Sequence, residues 1–163
     1  MAVLSDHDLL AAMARGDLRI EPFDPAALTP NGVDLRVAEV LVPASGPDAL
    51  RTGTAEVPPL ARFLVSTRER VALGPTLAGQ LWIRSSWARR GALAAFGKVE
   101  AGFEGTLTVG CFNASHEALR VPIGDRFCQL ALEALSSPAE RGYAQRSGAY
   151  QGQQGITLAR GNS

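Results

Sequence analysis

The sequence predicts an all-β domain, a barrel or jelly-roll-like fold with one short helix at its start. Short segments of alternating apolar and polar residues recur along the chain, and glycine and proline separate them. Helical spacing of apolar residues occurs near the N-terminus. Because 163 residues are enough to bury one core, we expect a single domain over residues 1–163.

The N-terminal helix is predicted by its two ends and by its apolar spacing. Ser5 and Asp8 resemble a capping box in which aspartate replaces the usual glutamate. Leu9 and Met13 follow at helical spacing, and Gly16 is placed to end the helix. We expect one helix of about three turns.

The first strand is predicted after a proline-rich segment that cannot continue the helix. Asn31-Gly32 marks a tight turn. From Val33 onwards, apolar residues alternate with Asp34 and Arg36. This alternation is typical of a half-buried strand, with the charged side chains on the side opposite the apolar ones.

Further strands are separated by turns. Residues 43–60 carry four prolines, which predicts a long surface excursion. The remaining strands are predicted at residues 63–65, 70–73, 79–83, 106–113, 118–121 and 127–135.

The C-terminal tail, residues 136–163, is polar and glycine-rich. One interpretation is a disordered terminus. The other is an ordered arm that closes over a ligand. Tyr143, Tyr150 and a run of glutamines favour the arm, because such residues are unusual in a solvated tail.

Composition gives no indication of a nucleic-acid or membrane partner. The formal net charge is zero, and no apolar run approaches transmembrane length. The N-terminus is polar within five residues, so we expect no signal peptide and a soluble, cytoplasmic protein. Cys111 and Cys128 lack metal-site spacing, and we expect them to be reduced core thiols.

The residues most suited to chemistry lie between Arg84 and Asn113. Arg84 precedes Ser85 and Ser86, and Arg89 follows closely; such a turn can aim hydroxyls, backbone N–H groups and guanidinium groups at phosphate. Glu100 lies in a glycine-bounded loop, where a carboxylate can orient a sugar hydroxyl or activate water. A solvated loop acid is the commoner fate of such a residue.

The strand at residues 106–113 has two different faces. Leu107, Val109 and Cys111 alternate with Thr106, Thr108 and Gly110. Glycine inside a strand often marks the close approach of a ligand or of another backbone. Gly110 therefore indicates a pocket on the polar face.

Several familiar chemistries are absent from the sequence. It contains no G-x-S-x-G motif, no P-loop and no H-E-x-x-H motif. The zinc deaminase pattern is also missing. His7 and His116 stand alone, which favours surface or core positions over metal ligation.

Over nearly its full length, the sequence resembles the dCTP deaminase branch of the dUTPase superfamily. The matching motifs are the helix start Leu4-Ser5-Asp6, the segment Pro22–Pro25, the strand Val33–Arg36, the phosphate turn Arg84–Arg89, the strand entry Gly102–Gly105, the turn and strand Pro122–Leu130, and the tail Tyr150–Gly155 with Thr157 and Arg160 following.

The resemblance implies a dUTPase-like β-barrel subunit, assembled as a homotrimer with active sites between subunits. It also implies a deoxypyrimidine triphosphate ligand. Mg²⁺ is the implied cofactor, bound through the phosphates and not by protein ligands.

The resemblance also implies roles for individual residues. Ser85, Ser86 and Arg89 would hold phosphates, and Arg89 or Ser85 would support the reacting centre. Glu100 stands where the family has an aspartate that grips the deoxyribose 3′-hydroxyl; in dUTPases that aspartate helps to activate water. Glu100, Arg89 and Ser85 are the catalytic candidates. The predicted nucleotide-binding residues are Arg84, Ser85, Ser86, Arg89, Glu100, Thr108, Val109, Gln129, Tyr143, Tyr150 and Gln153.

Three positions depart from the family pattern. The glutamate that shuttles protons in deamination aligns with Gly110, which cannot transfer a proton. The aspartate has become Glu100, one methylene longer with the same charge. The lysine expected before the tail tyrosine aligns with Ala149. Because general acid–base groups contribute about 10²- to 10⁴-fold, loss of the shuttle should nearly silence ordinary deamination.

Three functions therefore stay open, all within pyrimidine deoxynucleotide metabolism. The favoured one is phosphoanhydride hydrolysis of the dUTPase kind, which depends on positioning and charge stabilisation. The second is altered deamination of dCTP to dUTP, with Glu100 or another acid replacing the shuttle. The third is a trimeric nucleotide-binding or regulatory protein without catalysis.

Overall fold

The structure is a computed structural model that describes residues 2–159. The predicted helix is confirmed: α1 spans Asp6–Arg15. The Ser5 hydroxyl accepts a hydrogen bond from the Asp8 N–H, and the Asp8 carboxylate accepts one from the Ser5 N–H, both at 3.3 Å. Gly16 ends the helix with a φ of 80°, a conformation that glycine adopts without strain.

Thirteen β-strands dominate the regular structure of residues 2–159. In chain order they are β1 (Leu18–Glu21), β2 (Leu28–Thr29), β3 (Gly32–Leu41), β4 (Thr54–Val57), β5 (Arg62–Thr67), β6 (Arg70–Leu73), β7 (Leu77–Ile83), β8 (Ala92–Ala95), β9 (Lys98–Val99), β10 (Glu104–Gly105), β11 (Thr108–Asn113), β12 (Leu119–Pro122) and β13 (Arg126–Ala134). The remaining regular elements are two one-turn α-helices, α2 (Ser85–Ala88) and α3 (Tyr143–Arg146), and two short 3-10 helices at Pro25–Ala27 and Pro43–Ser45.

The strands form three antiparallel sheets. Eight strands lie in one half-barrel sheet in the order β8–β11–β5–β3–β13–β7–β9, with β2 paired to β3. The second sheet has the order β1–β6–β10, and β12 pairs with β4. The predicted all-β fold with a short helix at its start is confirmed.

The core positions the phosphate turn through a single tryptophan. Phe63 and Phe127 are 0% and 1% exposed, and their rings meet edge to face. Trp87 of α2 packs on Phe127 with 5.4 Å between ring centroids. Its indole N–H donates to the carbonyl of Arg126 at 2.8 Å. Because a buried indole N–H needs such a partner, these contacts anchor α2 to the barrel.

The predicted surface excursion at residues 43–60 is wrong in its last part. Strand β4 lies within it and pairs with β12, with Val57 opposite Leu119. Ala55 and Val57 are 5% and 0% exposed, so they belong to the core. The prolines that flank this short strand concealed its alternating pattern.

The two cysteines lie in the core as predicted. Cys111 and Cys128 are both free and buried. Burial raises the pKa of the Cys111 thiol to about 12 and also raises the pKa of Cys128. Such thiols are unreactive at neutral pH, because the thiolate is the nucleophile. Within residues 2–159, none of the helices is long and apolar enough to span a membrane.

Candidate functional site

The predicted phosphate turn, Arg84–Arg89, consists of α2 and its two capping residues. Arg84 caps this helix, and Ser85 and Ser86 are its first two residues, both exposed. These three residues line a cavity of about 330 Å³. The other lining residues are Thr29, Asp34, Trp82, Ile83 and Gln129. Four predicted nucleotide-binding residues therefore share one cavity: Arg84, Ser85, Ser86 and Gln129.

Asp34 is a buried acid in the wall of this cavity. It lies on β3 and is 3% exposed, so the predicted half-buried strand is wrong at this position. One of its carboxylate oxygens lies 3.1 Å from Arg84 Nε and 3.8 Å from Arg126 Nη1. Burial raises the pKa of Asp34 above its usual value, although the two guanidinium groups oppose this shift. The ion pair fixes the Arg84 side chain beside the cavity.

Gln129 is held in this cavity by the sheet. On β13 it lies between Trp82 of β7 and Asp34 of β3, so the three side chains form a row on one sheet face. Its Nε2 donates to Thr29 Oγ1 at 2.9 Å. This hydrogen bond orients the amide group of Gln129 toward a defined direction in the cavity.

Arg89 lies outside the cavity of the phosphate turn. It caps the C-terminal end of α2, is exposed, and lines a separate cavity of about 620 Å³. Its neighbours there are Arg90, Ser115, His116, Glu117, Ala118, Leu119 and Arg120. Within one chain, the structure does not bring Arg89 together with Ser85 and Ser86 in one cavity.

Glu100 lies in a third place, beside the C-terminal tail. It is exposed and follows β9. The Ser147 hydroxyl donates to Glu100 Oε2 at 3.3 Å. Both residues line a cavity of about 220 Å³ with Tyr143, Lys98 and Arg146 among the other lining residues. This cavity shares no lining residue with that of the phosphate turn.

Gly110 opens into an apolar cavity of about 630 Å³. On β11 it lies between Leu64 of β5 and Ala95 of β8. A Cβ added to Gly110 would meet no atom within 4 Å. None of the described residues that line this cavity has a carboxylate or an imidazole. They are Arg62, Leu64, Leu93, Ala94, Ala95, Gly110, Cys111, Phe112, Leu158 and Ala159.

Thr108 and Val109 precede Gly110 on β11 and were both predicted to bind the nucleotide, but their surroundings differ. The predicted alternation along β11 is confirmed, and the Val109 side chain is 1% exposed in the core. With 1% of its whole surface exposed, Val109 offers a ligand almost no contact in this structure, so its predicted role in nucleotide binding stays a prediction. The Thr108 hydroxyl donates to the carbonyl of Gly155 at 3.2 Å and accepts from the Thr157 N–H at 3.0 Å. Thr108 thus already contacts the tail.

The described part of the tail is ordered against the barrel. The Tyr143 N–H donates to the carbonyl of Ala101 at 2.8 Å, and its ring packs edge to face on Phe103. The Tyr143 hydroxyl accepts from the Tyr150 N–H at 3.1 Å. The tail is therefore not a disordered terminus over these residues, and its closure over a nucleotide stays a prediction.

Gln153 also holds the tail against the barrel. Its Nε2 donates to the carbonyl of Thr106 at 2.7 Å, and its own carbonyl accepts from the Thr106 N–H at 3.0 Å. Arg160, which completes the tail motif, lies outside the described residues.

A metal ion would find few protein ligands here. Among residues 2–159, no group of three or more His, Cys, Asp or Glu side chains is placed to hold a metal ion. Mg²⁺ usually binds through one or two carboxylates together with substrate phosphates and water. The residues present therefore fit a Mg²⁺ ion carried mainly by the triphosphate.

Asp34 and Ser147 line these cavities and contact predicted site residues, but they were not themselves predicted. Asp34 was visible as a polar position in β3, but strand alternation does not show that a polar face is buried between two arginines. Ser147 carried no signal, because its contact with Glu100 depends on how the tail folds back.

Comparison with known proteins gives one family. The family described as dCTP deaminase-like matches residues 3–135. The dCTP deaminase of Thermococcus gammatolerans is 41% identical over 145 residues, which cover 88% of this chain and 90% of that protein. The Aquifex aeolicus protein named dCTP deaminase, dUMP-forming, is 32% identical over an alignment of 172 positions, which covers 97% of this chain and 94% of that protein.

Solved structures agree in fold. The dCTP deaminase of Agrobacterium tumefaciens has a TM-score of 0.68 at 19% identity, over 82% of this chain and 48% of that chain. The dUTPase of Staphylococcus bacteriophage 80alpha has a TM-score of 0.55 at 17% identity, over 77% and 95%. At such identities, the likeness shows the fold alone. Together with the family match over residues 3–135 and the 41% identity to a relative of similar length, it leads to one conclusion: the chain belongs to the dCTP deaminase-like family.

Proposed function

We propose that this protein hydrolyses the phosphoanhydride bond of a deoxypyrimidine triphosphate, as a dUTPase does, in cytoplasmic pyrimidine deoxynucleotide metabolism. Water attacks the α-phosphorus, and the bond between the α- and β-phosphates breaks. Pyrophosphate, the nucleoside monophosphate and a proton from the water are released. The observation that carries the proposal is the cavity beside Gly110. Its described lining has no carboxylate or imidazole to shuttle a proton to a pyrimidine ring.

Hydrolysis needs a different set of groups, and this chain has them. Arg84, Ser85, Ser86 and Arg89 would bind and neutralise the phosphates. Glu100 would orient the sugar hydroxyl or the attacking water, since its carboxylate is exposed and borders a cavity. Mg²⁺, when bound through the phosphates, would stabilise the developing charge.

The separation of the cavities supports a site built from more than one subunit. Arg84 and Ser85 line one cavity, whereas Glu100 and Gly110 line two others. In a homotrimer, the phosphate turn of one subunit would face the Glu100 loop and β11 of its neighbour. The tail, residues 136–163, would close over the nucleotide there, with Tyr143, Tyr150 and Gln153 as contacts.

The second candidate function is deamination of dCTP. It is favoured by the names of the curated relatives, which include dCTP deaminases and one dUMP-forming dCTP deaminase. This reaction would need Glu100 or another acid to take over the proton transfer that Gly110 cannot perform.

Incubation with dCTP or dUTP in the presence of Mg²⁺ separates these functions. We expect pyrophosphate release with formation of the monophosphate. Conversion of dCTP to dUTP with the triphosphate intact would support deamination instead. Tight binding without turnover would support a non-catalytic, regulatory protein and would overturn the proposed hydrolysis.

Glu100→Gln is the matched test of the acid. It keeps the size of the side chain and can still accept from the Ser147 hydroxyl, but it removes the charge. We expect hydrolysis to fall about 10²-fold or more, as for other general acid–base groups. Glu140→Gln, which changes a more exposed tail acid, is the control and should have no effect.

A further inference from the structure

The tail runs along the barrel as an added edge of backbone. The Gly152 N–H donates to the carbonyl of Glu104 at 2.7 Å, and the Thr106 N–H donates to the carbonyl of Gln153 at 3.0 Å. Residues 149–152 form turns, and their neighbourhood is joined to the barrel by these main-chain hydrogen bonds. The tail therefore follows a defined path along residues 104–108.

Two glycines allow this close approach. Gly105 has a φ of 155°, and a Cβ there would lie 3.0 Å from the Gln153 carbonyl oxygen. Gly155 has a φ of 63°, and a Cβ there would lie 2.8 Å from Glu39 Oε2. Residues with a Cβ rarely adopt such positive φ values, so the path of the tail beside Glu39 favours glycine at position 155. The Glu39 carboxylate itself is the end of a flexible side chain and can shift aside.

Glu39 is the charged residue that contacts this part of the tail. It lies on β3 with its side chain 16% exposed. Its Oε2 accepts from the Ile156 N–H at 2.9 Å, and its Oε1 accepts from Arg51 Nε at 2.9 Å. Bonds to an ionised acceptor are about twice as strong as neutral ones. Because the Arg51 side chain is 68% exposed, its ion pair contributes little by comparison.

Thr108 is a second anchor for the same segment. Its hydroxyl donates to the Gly155 carbonyl and accepts from the Thr157 N–H. Glu39 and Thr108 therefore hold residues 155–157 from two different strands. Upstream of these anchors, the tail carries Tyr150 and, through Ser147, contacts Glu100.

We propose that Glu39 is a positioning residue that holds the tail over the Glu100 loop through its hydrogen bond to the Ile156 N–H. It contacts no proposed ligand and acts by fixing the path of the tail. Its kinetic effect rests on the proposed function, in which tail residues contact the nucleotide. Loosening the tail would then weaken binding without altering the reacting groups, so KM would rise while kcat stays the same.

Amide hydrogen exchange of the tail in the ligand-free, full-length protein tests the anchor directly. For Glu39→Ala, we expect exchange in residues 150–157 to quicken about tenfold, as for loss of a hydrogen bond to a charged group. Glu39→Gln keeps an acceptor oxygen and should quicken it far less. Arg51→Ala, which removes the ion pair alone, is the matched control and should leave exchange near the wild-type rate.

Two results would overturn the anchor. One is an unchanged rate of amide exchange in the tail of Glu39→Ala. The other is an equal increase of that rate in Arg51→Ala and Glu39→Ala, which would show that the ion pair holds the tail. If Glu39→Ala does not fold, Glu39→Met decides the same question, because it keeps the length of the side chain but has no carboxylate oxygen to accept from the Ile156 N–H. This variant should loosen the tail, and unchanged tail exchange in it would overturn the anchor.

Steady-state kinetics with dUTP and Mg²⁺ test the consequence for function. We expect Glu39→Ala to raise KM about tenfold, in line with the lost hydrogen bond, with kcat within about twofold of wild type. A fall in kcat at unchanged KM would contradict a positioning role. If wild-type protein does not turn over any pyrimidine triphosphate, the proposed function fails, while the exchange experiment still decides whether Glu39 holds the tail.

Discussion

The Ser147 hydroxyl donates to the Glu100 carboxylate at 3.3 Å, so a tail residue binds the acid that the family resemblance assigns to a sugar hydroxyl. The tail alcohol and the proposed ligand alcohol are chemically alike. When both approach Oε2 of Glu100, they compete for that oxygen. The tail thus contacts the same carboxylate that is proposed to bind the sugar.

Ser147→Ala should therefore strengthen nucleotide binding. Removing the competing hydroxyl frees Glu100, and we expect a non-hydrolysable dUTP analogue to bind about two- to fivefold more tightly, as for one modest hydrogen bond. Isothermal titration measures the change. Ser137→Ala, in an exposed part of the same tail, is the control. Weaker binding by Ser147→Ala would mean that Ser147 itself contacts the ligand.

Arg89→Ala tests whether the phosphate site extends to the second end of α2. Because guanidinium–phosphate bonds are charge-assisted, we expect triphosphate affinity to fall more than about tenfold. Arg15→Ala, a change at an exposed surface ion pair, should leave affinity unchanged. If Arg89→Ala binds as the wild type does, Arg89 does not belong to the site, in keeping with its separate cavity in one chain.

Gly110→Glu tests the family alignment at the deaminase position. The cavity has room for the side chain, because a Cβ at Gly110 meets no atom within 4 Å. We expect this variant to gain or raise dCTP deamination, measured as uracil nucleotide formed. Gly110→Gln is the size-matched control and should show no gain, since an amide cannot shuttle the proton. A folded Gly110→Glu protein without any gain would count against the alignment.

Asp34 should give the protein a specific pH dependence of stability. Burial raises its pKa in the folded state above the usual 3.8, so the folded protein binds this proton more readily than the unfolded chain. The stability that the folded protein gains from this proton is complete below the pKa of Asp34 in the unfolded chain. It is lost as pH rises through the pKa of Asp34 in the folded protein. Relative to Asp34→Asn, the wild type should therefore lose unfolding free energy as pH rises from below 3.8 through the raised pKa of Asp34 in the folded protein.

Urea unfolding of both proteins at several pH values measures this difference. The opposite slope would show that the arginine partners, Arg84 and Arg126, outweigh burial at Asp34.

Local patterns predicted the regular elements well. The helix was marked by Ser5 and Gly16, whose backbone geometry is set within a few residues. Strand β11 was marked by alternation around Gly110, and the buried face proved to be the predicted one. Six strands escaped prediction, because each has only two to four residues and gives too short an alternating pattern: β1, β2, β4, β8, β9 and β10.

The candidate site was predictable in its residues but not in its grouping. Arg84, Ser85 and Ser86 are neighbours in sequence, and they share a cavity. Arg89 lines another cavity because it lies at the opposite end of α2 from Ser85. Gly110 lies away from the cavity of Ser85 because β5 and β3 separate β11 from β13 and β7 in the sheet. No sequence spacing records that order. The role of Glu39 was hidden for the same reason, since Ile156 lies far from it along the chain.

The tail is held to the barrel largely by its own main-chain groups. Its amino-acid sequence is therefore free to vary at most positions. Where hydrogen bonds come from N–H and carbonyl groups, most side chains can change without loss of the attachment. A new arm sequence could therefore alter which nucleotide is preferred while following the same route. The exceptions are Gln151 and Gln153, whose amide groups bond to the barrel, and Gly155, whose φ of 63° favours glycine.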